Sequence, residues 1–265
     1  MAKLGIIGGG AMGAAFAGGV ISSGIIKAAE IIVADIDGSR LENLACDLGV
    51  ATTANALIAA NQAELVLLAV KPSVVGSVVE EIAAVAANKL IISIAAGVSL
   101  QAIESRLPDN AGVIRAMPNT PCQIGAGAIG FCVGASVTRP QTEQAKSIFD
   151  SVGISVQVPE SMLDAVTALS GSGPAYVYLM IEALSDAGVR VGLPRDAALK
   201  LAAQTVYGAA QMVISEHAHP AVLKDQVTSP GGTTIAGLDA LEKAGFRSAV
   251  IEAVKAAARR SKELS

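Results

Sequence analysis

The chain has 265 residues, of which 52% are hydrophobic and 16% charged, and it carries a net charge of −4 and three cysteines. The negative charge argues against nucleic acid or an anionic membrane surface as a partner, and no apolar run approaches the roughly 18 residues that a membrane span requires. Three widely spaced cysteines and an N-terminus without a signal-peptide pattern predict a reduced, cytoplasmic protein with neither a disulfide framework nor a metal site.

The first predicted element is a strand over residues 3–8, followed by a glycine-rich turn and an alanine-rich helix. Gly8, Gly10 and Gly13 satisfy the spacing G-x-G-x-x-G, which permits a tight turn, close approach of a pyrophosphate and close packing of helix on strand. A second predicted strand, Glu30–Asp35, ends in an acid at about the distance expected for a ribose ligand. The combination predicts a dinucleotide-binding domain, with a chance glycine turn as the alternative.

Further strands are predicted over 65–72, 90–97 and 112–121, with helical segments between them. Their continuous apolar sequences are typical of a parallel sheet that helices cover on both faces. A last pair of strands, over 128–134 and 153–158, is joined by a helix and completes the predicted sheet. The first part of the chain is therefore expected to adopt an α/β Rossmann-type fold.

The strand ends supply the expected cofactor contacts, because ligands of parallel sheets bind in the crevice at the carboxyl ends of the strands. Lys71 directly follows an apolar strand, so we expect it to contact cofactor or substrate, with a solvated lysine as the alternative. The residues predicted to contact the dinucleotide are Ile7, Gly8, Gly10, Ala11, Met12, Gly13, Asp35, Ala69, Val70, Lys71, Pro72, Ala95 and Gly97.

The remainder of the chain contains no convincing strand, which predicts an all-α domain over 161–265 after a dinucleotide-binding domain over 1–160. One helix is predicted to start at Pro174 and to stop at Gly188, and another to run from Pro194 to Glu216. The second is apolar around most of its circumference, and a helix without a polar face is a buried helix. We therefore expect a helix bundle between subunits, with packing against the first domain as the alternative.

His217 and His219 lie at the predicted helix end before Pro220, and no cysteine or carboxylate cluster stands near them at ligand spacing. We therefore expect helix-terminal histidines with a favourable dipole interaction, and no metal ligands. Shortly afterwards, the segment 229–232 (SPGG) interrupts the helical region. Proline and glycine inside a helix cost roughly 3 and 1 kcal/mol, so this break is expected to serve a purpose.

Residues 220–242, PAVLKDQVTSPGGTTIAGLDALE, resemble the signature region of the pyrroline-5-carboxylate reductase family, which catalyses the last step of proline biosynthesis. The resemblance extends over nearly the whole chain: IGGGAMG at 7–13, AVKP at 69–72, AAG at 95–97, RAMPNTP at 115–121 and DAVTALSGSGPAY at 164–176. The glycine-rich and AVKP segments are shared with other reductases. SGSGPAY and SPGGTTIAGL together are specific to this family.

The resemblance implies reduction of 1-pyrroline-5-carboxylate to L-proline by hydride transfer from NADPH or NADH, without a metal. A helix N-terminus after the glycines would suit the carboxylate of this substrate, since its free N–H groups bind anions. Thr234 matches the family threonine that hydrogen-bonds the ring nitrogen, and it is the predicted catalytic residue. The positions that the resemblance places at the substrate are Glu160, Glu216, Gln226, Ser229, Gly232, Thr233 and Thr234.

Within this set, Glu160 and Glu216 are expected to favour a cationic ring nitrogen, and Gln226 stands where some relatives carry asparagine. For the cofactor, the resemblance places Asn55 near the adenosine ribose. Asp35 departs from the serine, threonine or asparagine that is common in relatives. A carboxylate suits a free ribose 2′-hydroxyl and repels a 2′-phosphate, so we expect NADH to be used well, although the nearby Arg40 complicates this inference.

Two other functions are compatible with parts of the sequence. A related two-domain hydroxy-acid dehydrogenase would need a lysine as general acid–base in the helical domain, and Lys200 is the candidate. A nucleotide-sensing protein without catalysis would bind the cofactor but oxidise none of it with a cyclic imine. The resemblance further implies intertwined homodimers and allows a larger, ring-like assembly of them.

Overall fold

A computed structural model describes residues 2–264, and contacts between residues divide them into two compact units. The first unit comprises the residues up to Ser172 together with those from Ala257 onward. The second unit comprises Gly173–Ala256. The end of the chain therefore returns to the unit that contains its beginning.

The first unit is built on one sheet, in which the described residues form eight strands in the order β3-β2-β1-β4-β5-β6-β7-β8. The strands are β1 Ala2–Ile7, β2 Ile31–Ala34, β3 Ala51–Thr53, β4 Ala63–Leu68, β5 Leu90–Ser93, β6 Gly112–Met117, β7 Gly127–Val133 and β8 Gly153–Gln157. Strands β1 to β6 run parallel to one another. Their carboxyl ends form a single edge, which carries the loops predicted to bind the cofactor.

The last two strands run in the opposite direction, since β7 pairs antiparallel with β6 and β8 pairs parallel with β7. Residues 118–126 join β6 to β7 and contain only a short 3₁₀-helix, Thr120–Ile124. A parallel return needs a crossover of about a dozen residues or more, so this connection is too short for one. The short strand β3 was not predicted because Ala51–Thr53 contains no apolar run.

Helices cover both faces of the sheet, as predicted. Those of the first unit are α1 Ala11–Ser22, α2 Gly38–Leu48, α3 Ala56–Gln62, α4 Pro72–Ile82, α5 Leu100–Glu104, α6 Arg139–Asp150 and α7 Leu163–Val166. On one face the rings of Phe16 and Phe149 meet edge to face with centroids 6.4 Å apart. On the other face Val75 and Val79 of α4 are fully buried against the strands. The predicted Rossmann-type architecture is confirmed.

The second unit is all-helical, and no strand follows residue 163 within the described chain. Its helices are α8 Gly173–Arg190, α9 Arg195–Glu216, α10 Pro220–Gln226, α11 Thr233–Lys243 and the first part of α12 Phe246–Leu264. Helices α8 and α9 approach closely at Gly188, where an added methyl group would lie 2.9 Å from the Cβ of Ala198. None of the described helices is both long enough and apolar enough to span a membrane.

Candidate active site

A side chain would not fit at two glycines where the loop after β1 leads into α1. Gly8 has a φ of +110°, and a methyl group there would clash with the carbonyl oxygen of Ala69. A methyl group at Gly13 would clash with the carbonyl oxygen of Gly8. These contacts hold the start of α1 against β1 and β4, the close approach that the motif requires.

The middle glycine of the motif instead faces open space. Gly10 is the N-cap of α1 and supplies no side chain to cap the helix. A methyl group at Gly10 would meet no atom closer than Nη1 of Arg40, at 4.0 Å. The N–H groups of the first turn therefore point into an open cradle with the partial positive charge of a helix N-terminus. This cradle fits the pyrophosphate of a dinucleotide.

A cavity of about 620 Å³ lies beside this cradle, and half of the predicted cofactor residues line its wall. Another cavity, of about 670 Å³, lies away from the cradle. The predicted residues in the wall of the cavity beside the cradle are Ile7, Gly8, Gly10, Asp35, Ala69, Val70 and Lys71. Arg40, noted in the sequence for its position near Asp35, also lines the wall. The wall residues that were not predicted are Ala34, Ile36, Asp37, Ala54, Ala56, Val74, Val78 and Glu81. Four wall residues at the start of α4 and along it recur every three or four positions, a spacing that places them on one face of the helix. They are Lys71, Val74, Val78 and Glu81.

The other predicted cofactor residues do not line this cavity. They are Ala11, Met12, Gly13, Asn55, Pro72, Ala95 and Gly97. Gly13 packs beneath the loop, and Ala95 is buried. The side chain of Asn55 caps α3 by accepting the N–H of Ile58 at 3.0 Å, while its neighbours Ala54 and Ala56 face the cavity. A contact of Asn55 with the adenosine ribose stays a prediction.

Asp35 lies at the end of β2 with its carboxylate bound to the protein. Oδ2 accepts the N–H of Gly9 at 2.6 Å, and Oδ1 accepts the N–H of Asp37 at 2.9 Å. Nη1 of Arg40 is 3.5 Å from Asp35 Oδ2, and its Nε is 3.3 Å from Asp37 Oδ2. A hydrogen bond from Ser39 lowers the pKa of Asp37 below its usual value. Asp35 therefore anchors the glycine loop, and the guanidinium of Arg40 is shared between two carboxylates.

Glu160 belongs to the first unit, where its carboxylate has two protein partners. Oε1 accepts the N–H of Leu100 at 2.7 Å and lies 3.2 Å from Nη1 of the buried Arg115. Burial raises the pKa of the nearby Cys132 thiol to about 11, and the negative charge of Glu160 contributes less to this rise. This thiol stays protonated at neutral pH and is no nucleophile. Oε1 of Glu160 is therefore already engaged by Arg115 and the N–H of Leu100. A role of Glu160 at the substrate stays a prediction.

The interrupted segment before α11 forms a tight turn. The N–H of Gly232 donates to the carbonyl of Ser229 at 3.1 Å, with Pro230 and Gly231 between them. Gly231 has a φ of +65°, as the third residue of a type II turn requires. A methyl group at Gly232 would clash with the hydroxyl of Ser229. The positive φ therefore favours glycine at 231, and the fixed φ of proline suits position 230 of such a turn.

Helix α11 begins directly after this turn, as the sequence predicts. Gly232 is its N-cap, and no side chain caps the helix there. Thr233 is exposed and Thr234 is half-buried in the first turn. The open N–H groups at this terminus can bind an anion. Gln226 and Glu216 are exposed at the ends of α10 and α9, respectively.

The two histidines stand between α9 and α10, at helix termini as predicted. His217 directly follows α9, where a positive charge would be favourable. The dipole part of the prediction is wrong for His219, which is the N-cap of α10 and accepts the N–H of Ala221 at 3.2 Å with Nδ1. An accepting nitrogen carries no proton. Within residues 2–264, no group of three or more metal-ligating side chains comes together.

Family models match both parts of the chain. Residues 160–264 match the pyrroline-5-carboxylate reductase dimerisation model, and residues 3–97 match the model of NADP oxidoreductase, coenzyme F420-dependent. Pyrroline-5-carboxylate reductase of Synechocystis sp. is 53% identical over 262 residues, which are 99% of this chain and 98% of that protein. The chain belongs to the pyrroline-5-carboxylate reductase family.

Solved structures of pyrroline-5-carboxylate reductases share the whole fold. The enzyme of Coxiella burnetii superposes with a TM-score of 0.96 at 38% identity, covering 100% of this chain and 98% of the other. The Plasmodium falciparum enzyme, with NADP bound, superposes with a TM-score of 0.87 at 36% identity, covering 99% and 98%. The resemblance seen in the sequence is confirmed. The comparisons favour the first of the three functions considered from the sequence.

Proposed function

We propose that this protein reduces 1-pyrroline-5-carboxylate to L-proline with hydride from NADPH or NADH, the last step of proline biosynthesis. The observation that carries the proposal is the uncapped N-terminus of α11, which follows a turn that proline and glycine make rigid. Such a terminus suits a small carboxylate, and the same chain holds a glycine loop suited to a dinucleotide. Full-length similarity to enzymes of this name supports the assignment.

In this proposal the first turn of α11 binds the substrate. The backbone N–H groups of Thr233 and Thr234 hold the carboxylate, and the Thr234 hydroxyl, as catalytic residue, hydrogen-bonds the ring nitrogen. Bound nicotinamide supplies the hydride. Holding the two reactants in line contributes on the order of 7–11 kcal/mol. The further residues proposed at the substrate are Glu160, Glu216, Gln226, Ser229 and Gly232.

An acid beside the ring nitrogen would favour its protonated, more electrophilic form, because an opposite charge nearby stabilises a cation. Glu216 is the more available of the two proposed acids, since it is exposed at the end of α9. Glu160 is already paired with Arg115.

A spectrophotometric assay tests the function directly. We expect oxidation of NADH and of NADPH that depends on added 1-pyrroline-5-carboxylate. Oxidation of neither cofactor would contradict the proposal and favour a nucleotide-binding protein without catalysis. Activity with hydroxy acids or their ketones alone would favour a dehydrogenase that uses Lys200.

The charges around the cavity favour NADH over NADPH. Asp35, Asp37 and Glu81 contribute three carboxylates to its wall, against the cations Arg40 and Lys71. Both carboxylates near Arg40 already pair with it. A 2′-phosphate would have to compete with them for this guanidinium, whereas a free 2′-hydroxyl would not.

Replacing Asp35 with serine should raise the ratio of kcat/KM for NADPH to that for NADH by about tenfold. The repulsion between a carboxylate and a phosphate charge 4 Å apart is up to about 4 kcal/mol near a protein surface. The expected tenfold change in the ratio corresponds to a smaller energy than this. Both cofactors should also bind somewhat more weakly, because Gly9 loses its acceptor. Steady-state kinetics with each cofactor measures the ratio. An unchanged ratio would mean that the preference is set elsewhere.

Exposed apolar side chains on α9 support the proposal of a homodimer. Within the protomer only Ala198 and Ala202 of this helix are buried, among the residues described. Leu201 is 57% exposed and Tyr207 is 64% exposed. Large apolar side chains left this exposed are typical of an interaction site, and the dimerisation family model covers this helix.

Light scattering should therefore give a mass of at least twice the 26.5 kDa of one chain. Replacing Leu201 with glutamate should shift the protein toward the monomer, because a charge would be buried in an apolar interface. The exposed Gln211 of the same helix offers a matched control as Gln211→Glu. A stable wild-type monomer would contradict the proposed assembly.

We also propose that residues 1–160 and 161–265 act as the dinucleotide-binding domain and as the substrate-binding and dimerisation domain. The dimerisation family model, which starts at residue 160, supports this boundary, whereas contacts within the chain place the division after Ser172 and assign the residues from Ala257 onward to the first unit. A cytoplasmic location is part of the proposal. It rests on three free cysteines, of which Cys122 and Cys132 are buried with a raised pKa.

A further inference from the structure

One wall of the cavity beside the glycine loop follows α4 and ends in a carboxylate. A methyl group at Gly8 would meet the carbonyl of Ala69, three residues before α4 begins, so the start of this helix lies beside the loop. Val74, Val78 and Glu81 then line the cavity from one face of α4. At about 1.5 Å per residue, Glu81 stands roughly 10 Å along the helix from Val74. Glu81 therefore lies at the end of this wall that is remote from the glycine loop.

Apolar side chains from three elements share this cavity and are open to a ligand. Ile36, after the end of β2, is 97% exposed although it lines the cavity, and Val74 of α4 is 40% exposed. Ala54 and Ala56, at the start of α3, add only small side chains. Ligand sites combine such apolar walls with a few polar groups that fix the orientation of the ligand. A dinucleotide whose pyrophosphate lies at the glycine loop would place the base of its adenosine half against these side chains.

Glu81 is the cavity carboxylate that stays available to a ligand. Asp35 and Asp37 pair with Arg40, whereas Glu81 pairs with no cation within residues 2–264. Its Oε1 accepts the N–H of Leu57 in α3 at 3.4 Å. Glu81 is exposed, and its Oε2 accepts no hydrogen bond from the described part of the chain. The bond from Leu57 thus orients the carboxylate and leaves its second oxygen free to accept.

We propose that Glu81 selects adenine as the base of the cofactor by accepting a hydrogen bond from its 6-amino group. This role rests on the proposed function in one respect, that the cavity binds a nicotinamide dinucleotide. A carboxylate can only accept hydrogen bonds. Adenine carries an amino donor at position 6, whereas a 6-oxopurine such as hypoxanthine carries an acceptor there. The carboxylate of Glu81 therefore favours the aminopurine and repels the oxopurine.

Titration by cofactor fluorescence with NADH and with reduced nicotinamide hypoxanthine dinucleotide tests this role. The two molecules differ only at the purine, where an oxo group replaces the 6-amino group. We expect the wild-type protein to bind NADH about tenfold more tightly, because a hydrogen bond to a charged group contributes at least this factor. In Glu81→Gln the amide oxygen can keep the N–H of Leu57, which turns the amide nitrogen, a donor, toward the base. The preference for NADH should therefore disappear or reverse in this variant.

Glu80→Gln is the matched control, because it removes the same charge one position earlier on α4. Glu80 does not line the cavity, and its Oε1 pairs with Nε of Arg106 at 3.1 Å. This variant should keep the wild-type preference for NADH. An equal loss of preference in Glu80→Gln and Glu81→Gln would overturn the role of Glu81, since the total charge of α4 and not one hydrogen bond would then set the preference.

The remaining outcomes separate the role of Glu81 from the proposed function. Equal affinity of the wild-type protein for the two dinucleotides, or an unchanged preference in Glu81→Gln, would also overturn this role. The proposed function would still stand if the same wild-type protein oxidised NADH with 1-pyrroline-5-carboxylate. A wild-type protein that prefers NADH in the titration but is inactive with the imine would overturn the proposed function and leave the role of Glu81 intact. Binding of neither dinucleotide would overturn both.

Discussion

Replacing Thr234 with alanine should lower kcat/KM for 1-pyrroline-5-carboxylate by about ten- to a hundredfold or somewhat more. A hydrogen bond to a charged or polarised group is worth roughly 1.5–3 kcal/mol, and the Thr234 hydroxyl is proposed to make such a bond to the ring nitrogen. The side chain is half-buried in the first turn of α11, beside N–H groups that no side chain caps. Steady-state kinetics with saturating cofactor measures the loss.

Two further variants and the affinity for NADH test whether the loss of activity in Thr234→Ala comes from the missing hydroxyl. Thr234→Ser keeps the hydroxyl and should recover most of the activity. Thr233→Ala changes the exposed neighbour and should be milder, because the backbone N–H of Thr233 is proposed to act and not its hydroxyl. The affinity for NADH should stay unchanged, since the glycine loop belongs to the other unit. A Thr234→Ala enzyme of normal activity would move the active site away from this turn.

Replacing Gly10 with valine should weaken the binding of both NADH and NADPH by roughly a hundredfold. Gly10 is the N-cap of α1 and faces the cradle, where its added methyl would meet only Arg40 Nη1 at 4.0 Å. The Cβ of the new side chain would therefore meet no clash in the protein, and we expect the branched side chain to occupy the space of the pyrophosphate. Displacing the phosphate forfeits at least one charged hydrogen bond, worth roughly 1.5–3 kcal/mol. Titration by cofactor fluorescence measures the dissociation constant.

Gly18 offers a matched control on the same helix. A methyl group at Gly18 would lie 4.0 Å from Cδ2 of Leu48, its nearest neighbour, which is the same clearance as at Gly10. Gly18 does not line the cofactor cavity. Gly18→Val should bind both cofactors normally and unfold at a temperature similar to that of Gly10→Val. A folded Gly10→Val protein of unchanged affinity would remove this loop from the cofactor site.

The unpredicted parts of the candidate site lie where distant residues meet. Asp37 follows β2, and its place in the cavity wall depends on how the start of α2 packs beside the glycine loop. Asp35 was expected at the ribose, yet its carboxylate binds the N–H of Gly9, 26 residues earlier. The direction of β7 depends on the length of one connection and not on the apolar pattern of the strand. Periodicity in a sequence carries none of this information, because each contact joins separate elements.

The turns and helix starts that depend on proline and glycine, by contrast, could be predicted from the sequence. Gly8 and Gly231 adopt positive φ angles that favour glycine, and Gly13 closely approaches the carbonyl oxygen of Gly8 five residues earlier. The amino acid itself limits which φ and ψ are accessible, so the turns and helix starts follow from the sequence directly. Apolar runs likewise determined which segments became buried strands.

Only the tertiary structure decided the partners of the polar side chains. Glu160 pairs with Arg115, 45 residues away, and Asn119 bonds Ser170, 51 residues away. The free energy of a charge or an amide depends on what replaces the water around it, and that is settled only when the elements pack together. For this reason the sequence by itself determined the fold class, the glycine loop and the start of α11. The hydrogen-bond and ion-pair partners of Glu160, Asp35 and Asn119 were decided by how the elements pack together.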